Sequence, residues 1–274
     1  RIWNVELDAI QYGLDSIFNI LHSIFYPILP MRKEYANEVL SASKAGYEII
    51  AEDFSRTRGK FWKELLFVRD MIPKGARLLD VGCGNGRFLG SPLDESIDYT
   101  GIDFSEGLIS VARERYDSRA HTTFVAGDAL TLPFPDHSFD IVVSFAVLHH
   151  IPSRAYRVEF LREVARAVKP GGLIIITAWN VWRAKPRIIL KYAFKKICGL
   201  ASLDFVLKNF CGLSRLDFGD AFLGFGKEKN ARFVHALSKR ELFSLAREAG
   251  LTVEKFDIIR RPFGEENFFM IMRS

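Results

Sequence analysis

Arg77-Leu-Leu-Asp-Val-Gly-Cys-Gly-Asn-Gly86 decides the fold of this 274-residue chain. A short apolar run leads into a loop with glycine at 82, 84 and 86, and Asp80 stands just before the loop. The run Tyr99-Thr-Gly-Ile-Asp103 ends in a second acid, 21 residues past Gly82. That spacing suits two parallel strands whose carboxyl ends share one nucleoside ligand. Glycines let the backbone come close to it, and the acid at the next strand end takes ribose hydroxyls.

A dinucleotide site needs Gly-x-Gly-x-x-Gly and a helix N-terminus facing a pyrophosphate. Here Arg87 occupies the place of that last glycine, which falls one residue early at Gly86. The Gly-x-Gly-x-Gly form, with Asp80 before it, suits S-adenosylmethionine instead. That cofactor has a cationic sulfonium and a zwitterionic tail in place of the pyrophosphate. The loop therefore argues against an NAD enzyme.

Further segments extend the pattern. Thr122-Thr-Phe-Val-Ala-Gly-Asp128-Ala129-Leu130 reads as a third strand ending in an acid and an apolar wall, as an adenine requires. Ile141-Val-Val-Ser-Phe-Ala-Val-Leu-His149-His150 reads as an apolar, β-branched strand that breaks at the His pair. Val158 to Lys169 has helical periodicity, Pro170-Gly-Gly172 stops it, and Leu173–Trp179 is a fifth strand. Apolar runs alternating with helices imply a doubly wound parallel sheet in an α/β fold.

In these motifs the chain resembles the class I S-adenosylmethionine-dependent methyltransferases. The carriers are Asp80-Val-Gly-Cys-Gly-Asn-Gly86, Gly101-Ile-Asp-Phe-Ser105, Gly127-Asp-Ala-Leu-x-Leu-Pro-Phe134, Ser138-Phe-Asp-Ile-Val-Val-Ser144 and Arg166-x-Val-Lys-Pro-Gly-Gly172. The resemblance implies a Rossmann-like seven-stranded, mostly parallel sheet closed by a C-terminal antiparallel hairpin, placed at Thr252–Arg260 and Asn267–Arg273. It also implies a cofactor site made of Asp80, Gly82, Cys83, Gly84, Asn85, Gly86, Asp103, Phe104, Ser105, Asp128, Ala129, Leu130, Phe145 and Ala146.

A narrower resemblance begins at Tyr47. Tyr47–Trp62, Phe145–His150, Ala178-Trp179 and Arg232–Leu242 are similar to segments of tRNA wobble-uridine methyltransferases, which esterify 5-carboxymethyluridine. Gly59-Lys-Phe-Trp62 departs from the Lys-Pro-Trp-Pro expected there, and the stretch before Arg232 lacks the usual Trp. The resemblance implies tRNA as substrate and a small zinc-binding activator as partner. It adds Tyr47 and Arg56 to the cofactor site and His235 to the substrate site. Arg58, His149 and His150 become the catalytic candidates. Arginine forks suit a carboxylate acceptor, which is already ionised and needs no base. One histidine would hydrogen-bond the acceptor, or act as base toward a hydroxyl or amine. The plainer alternatives are solvated arginines and a histidine pair bonded to backbone.

RNA binding calls for positive charge, and the net charge is +5. Arg183, Lys185, Arg187, Lys191, Lys195 and Lys196 cluster without an acid after the fifth strand, interleaved with Trp179, Trp182, Tyr192 and Phe194. Trp179, Arg183, Lys185, Arg187 and Lys191 are the substrate-binding candidates, on an insert spanning about 181–232. A solvated basic helix face, or one lying on an anionic membrane, fits the same residues.

The remaining expectations concern organisation. Hydrophobic residues make up 49% of the chain, enough for one α/β domain at 35–274 plus an extension. Residues 1–34 read as an amphipathic appendage, with 1–30 as a packing element or a peripheral membrane contact. The chain opens on Arg1, so upstream sequence or a start at Met31 are both readings. Three cysteines without metal spacing suggest no disulfide framework, no metal and a cytoplasmic setting. Two rival functions stay open: methyl transfer to a small molecule, quinone or lipid, favoured by the apolar N-terminus and by Phe205, Phe210, Phe218, Phe222 and Phe225; and a non-catalytic cofactor-binding subunit.

Overall fold

The computed structural model describes residues 30–201, 216–225, 230–261 and 265–274, without the side chains of 194–201, 225 and 230–231. The expected appendage at 1–29, the lysines at 195 and 196, the phenylalanines at 205, 210 and 225, and the turn at 262–264 lie outside that description.

Seven strands form one sheet in the order β3-β2-β1-β4-β5-β9-β8. They are β1 (Arg77–Val81), β2 (Asp98–Asp103), β3 (Thr122–Ala126), β4 (Phe139–Phe145), β5 (Val168–Trp179), β8 (Thr252–Arg260) and β9 (Glu266–Arg273). The first five are mutually parallel, and β9 runs antiparallel to both β5 and β8. This is the expected doubly wound sheet with its closing hairpin.

Both faces of the sheet are covered, which is why the central strands are mostly apolar. Leu79, Val81 and Val142 face a core built with helix α3 (Arg154–Ala167) and helix α5 (Lys239–Glu248). Leu78, Ile141 and Val143 face a second core, with helix α2 (Glu106–Tyr116) and the 3₁₀ segment Lys63–Met71. Serines 105, 153 and 238 cap α2, α3 and α5, each accepting a backbone N–H three residues on. Helix α3 ends at Ala167, two residues before the expected stop. Val168 already pairs with Phe139, and Pro170-Gly-Gly172 forms an irregularity inside β5. Gly171 has φ +72°, and a Cβ on Gly172 would lie 2.8 Å from the Asp140 carbonyl.

Helix α1 (Lys33–Thr57) starts on the α3 face, where Ala36 and Val39 are buried. It then reaches the head of α2, where Glu48 accepts the Glu106 and Gly107 N–H groups at 2.7 and 2.9 Å. That path carries Tyr47 and Phe54 past the carboxyl ends of the strands.

After β5 the chain adds helix α4 (Pro186–Ala201) and a separate antiparallel pair, β6 (Asp220–Phe225) and β7 (Asn230–His235). Trp182 and Ile189 pack against Phe218, Ala221 and Val234. Trp182 is therefore core, while Lys185, Arg187 and Lys191 are exposed.

His235, expected to touch substrate, does not. It is fully buried, with Nδ1 2.6 Å from Asp220 Oδ1 and Nε2 3.0 Å from Glu241 Oε2. Arg157, equally buried, lies 3.3 Å from Glu241 and donates to the Ile151 carbonyl. Asp217 accepts the Met31 N–H at 2.7 Å. The network ties the β6–β7 pair to the main domain. Burial and Arg157 oppose a charged ring, but Glu241 and Asp220 outweigh them and push the His235 pKa up to about 9.

A pKa raised above the ordinary 6.5 gives stability that is complete below pH 6.5 and lost as pH rises through about 9. Urea unfolding should show that loss between these pH values. His235→Ala should remove most of it and cost about 3–5 kcal/mol near pH 6.5, because two buried carboxylates lose their shared cation.

Candidate active site

A cleft opens where β1, β2 and β4 end. Its floor is the loop Gly82–Asn85, with Asp80, Arg87 and Phe88 behind it. Asp103 and Phe104 form one wall, Phe145, Ala146 and Val147 the other, and Tyr47, Phe54 and His150 stand over the opening. Gly82 has φ +75°, and a Cβ there would meet Val147 Cγ2 at 2.3 Å, so the loop rests directly on the second residue after β4. Gly84, at φ +54°, points its missing Cβ into the cleft, 3.9 Å from Phe54. Gly86 packs downward on Tyr116 and Phe124 and does not line the cleft. Ala146 holds φ +61° without being glycine. Its N–H is fixed by the Thr177 carbonyl at 3.0 Å and hydroxyl at 3.1 Å.

Asp103 organises the floor. Its two oxygens accept the Gly84 N–H at 2.9 Å and the Ser105 N–H at 3.0 Å. Burial pushes its pKa up to about 6 despite those donors. Burial also raises Asp80 to about 7, although the Tyr99 hydroxyl donates to it at 2.8 Å and Arg87 is near. Arg87 lies 3.8 Å from the Trp62 ring centre, and Arg261 covers Trp62 at 5.1 Å. Burial lowers the Arg87 pKa to about 10, with Asp80 acting in the opposite direction.

The two histidines separate. His149 is 2% exposed, and its Nδ1 accepts the Trp179 N–H at 3.2 Å. It holds the end of β5 and does not reach the cleft. His150 lines the cleft, with Nδ1 2.8 Å from the Phe233 carbonyl. A carbonyl only accepts, so Nδ1 carries the proton and Nε2 is left as an acceptor. Burial, with Arg232 nearby, depresses the His150 pKa to about 3, so the ring is neutral at pH 7.

The arginines separate as well. Arg56 is exposed and pairs with Asp53 at 2.6 Å, away from the cleft. Arg58 is half-buried over the Phe54 ring at 4.9 Å. Arg232, on β7, lies over Trp179 at 5.8 Å and hydrogen-bonds Tyr47. Burial lowers the Arg58 pKa, and the neighbouring charge of Arg232 lowers it further. The charges of both guanidiniums favour an ionised Tyr47 hydroxyl, and that of Arg232 disfavours a charged His150; the residues that line the cleft include neither of these two arginines. Arg232 was quoted within a motif but not expected at the site; Arg87 and Phe54 were also missed. Arg87 had a signal, since it replaces a loop glycine.

Other candidates fall elsewhere. Asp128 is exposed and turns back to accept the Leu130 N–H at 2.8 Å, so Gly127 and Ala129 line the cleft in its place. Ser105 caps α2 and Cys83 is a buried free thiol on the cleft floor. Trp179 stands at the end of β5, and Arg183 pairs with Glu266 at 3.1 Å. Among the described residues no His, Cys, Asp and Glu cluster could hold a metal ion, and no helix is long and apolar enough to cross a membrane.

A seven-stranded sheet of this order with a glycine loop and acids at its carboxyl ends defines the class I methyltransferase architecture. Residues 79–176 match a methyltransferase domain family. A protein of Encephalitozoon cuniculi, provisionally named a methyltransferase, is 35% identical over 83% of this chain and 93% of its own length. The Saccharomyces cerevisiae tRNA (carboxymethyluridine(34)-5-O)-methyltransferase is 36% identical over 57% of this chain and 51% of its own. Relatives of that name in other organisms are matched over as little as 19% of their length, so the chain spans only part of them. Among solved structures, a Methanosarcina mazei S-adenosylmethionine-dependent methyltransferase aligns with TM-score 0.59 at 21% identity, over 78% of this chain and 98% of its own. A Haloferax volcanii complex between the Trm112 methyltransferase activator and a provisionally assigned methyltransferase aligns with TM-score 0.56 at 19% identity, over 85% and 98%. The chain belongs to the S-adenosylmethionine-dependent methyltransferases.

The cleft fits that family's methyl donor in one testable respect: the space at Gly84 is open only because no side chain fills it. Gly84→Leu should weaken S-adenosylhomocysteine binding by at least about tenfold, or about 1.4 kcal/mol, in calorimetry. Gly75→Ala, at φ +70° with open space around it, carries similar backbone strain and should leave binding unchanged.

Proposed function

We propose that this chain transfers a methyl group from S-adenosylmethionine to a carboxylate, the carboxymethyl group on a wobble uridine of tRNA. The placement of Arg58 and Arg232 around Tyr47, which stands over the cleft, carries the reading. Bound in the cleft, S-adenosylmethionine supplies an electrophilic methyl carbon on a sulfonium. An in-line displacement asks the protein mainly for proximity and alignment. The methyl would pass to a carboxylate oxygen and the thioether would leave with the carbon–sulfur electron pair, so the residues of the site have only to hold that oxygen in line. No proton is removed, so a site whose histidine is neutral suffices. Two planar guanidiniums orient a carboxylate and select against neutral or cationic acceptors. His150 Nε2, an acceptor with a fixed tautomer, receives a donor of the substrate.

The names of the relatives support tRNA as the carrier of that carboxylate. The activator paired with a neighbour of the same fold supports testing for a similar subunit here.

Labelled S-adenosylmethionine and tRNA lacking the wobble ester should give alkali-labile incorporation, tested with and without a candidate activator. Arg232→Ala should lower kcat/KM at least about a hundredfold, the loss expected for a charge-assisted pair worth roughly 3 kcal/mol, with donor affinity retained. Incorporation that survives alkali, or none while the donor binds, sinks the carboxylate reading and brings small-molecule or lipid acceptors forward.

A further inference from the structure

Besides the glycine-loop cleft, the described residues form a groove of about 820 Å³ on the α3 face, between α5 and the β8–β9 hairpin. Among the described residues, five cations line it, Arg183, Lys239, Arg240, Arg247 and Arg260, and Glu266 is its one acid. Glu266 is shared by Arg183 at 3.1 Å and Arg260 at 3.4 Å, which leaves the wall with four charges in excess. The nearest other acid on α5 that reaches solvent, Glu248, pairs with Arg154 at 2.7 Å. Apolar faces interleave with these cations. Phe243 is 38% and Ile258 46% exposed, and Lys239 lies over Phe243 and Phe256 at 5.6 and 4.9 Å.

We infer that this groove is a docking surface for the sugar-phosphate backbone of RNA. The inference rests on the tRNA reading above, which it extends from the reacting group to the rest of the substrate. Charge complementarity selects a polyanion, and exposed aromatic and aliphatic faces beside the cations suit unstacked bases. Position selects the substrate over an unrelated partner. Asn180 lines the groove, directly after Trp179 at the carboxyl end of β5, and the Asn180 N–H is held by the Glu266 carbonyl at 2.9 Å. A substrate whose reacting group lies by Trp179 and Arg232 therefore leads its flanking chain toward Arg183 and Arg260. Lys239 and Arg247 follow about 12 Å apart along α5, at the helical rise of 1.5 Å per residue. None of these cations belongs to the methyl-donor cleft.

The test is fluorescence anisotropy of a labelled RNA stem-loop with the whole chain across a salt series. The variants are Lys239→Glu/Arg240→Glu/Arg247→Glu and the milder Arg240→Gln/Arg247→Gln, with S-adenosylhomocysteine affinity as the folding control. The expected result is at least about tenfold weaker RNA binding for the charge reversal, with a salt slope shallower by about two to three, one step of roughly 0.7–0.9 per lost phosphate contact. The Gln pair should show a smaller change in the same direction. Wild-type affinity and slope in both variants, or no RNA binding by the wild type, overturns the inference. So do variants that lose an activator protein while keeping RNA. Methyl transfer separates the two readings. RNA docking in the groove without alkali-labile product sinks the acceptor assignment alone, and product formation untouched by the groove variants sinks the groove alone.

Discussion

One carboxylate holds the reactive end of this protein together. Asp103 accepts from Gly84 on one side and from Ser105 on the other, so the glycine loop and the head of α2 are set by the same two oxygens. Glu48 then caps that head from α1, which brings Tyr47 and Phe54 over the cleft. A buried anion is costly unless donors surround it. Here backbone amides do, and their alignment is the geometry a nucleoside ligand needs.

Much of this was legible in the sequence because parallel strands buried on both faces announce themselves. β1, β4 and the second half of β5 are rich in apolar residues, and the acids and glycines at the strand ends sit where backbone geometry demands them. The hairpin β8–β9 was implied by the family resemblance, and Thr252–Arg260 and Glu266–Arg273 form it. What failed to show was long-range. Periodicity placed a histidine pair after β4 but could not say that His149 would turn to the Trp179 amide and His150 to the cleft. Arg56 and Arg58 stand two apart on a helix end, so they point differently, and only Arg58 turns inward. Helix α3 stopped early because a strand partner, Phe139, competed for Val168.

His235 shows why polar motifs mislead. A conspicuous His in a motif shared with RNA enzymes looks like a ligand contact, yet both its nitrogens are bonded to carboxylates inside the protein. Together with Arg157 and Asp217 it does a structural job that apolar packing does elsewhere. The β6–β7 pair has its own small apolar core with α4 and sends Phe233 and Phe222 into the main core, and the charge network adds a polar tie between the two.

The hydrogen bond from His150 to the Phe233 carbonyl joins residues 83 positions apart. The donor half of the cleft comes from β1 and β2, whereas Arg232 and the carbonyl that fixes the His150 tautomer come from the inserted pair. The cleft is therefore assembled from two parts of the chain, the strand ends that set the glycine loop and the inserted pair that sets the His150 tautomer. Under the proposed function, rewriting the insert would change which molecule is modified while leaving the loop that holds the reagent untouched.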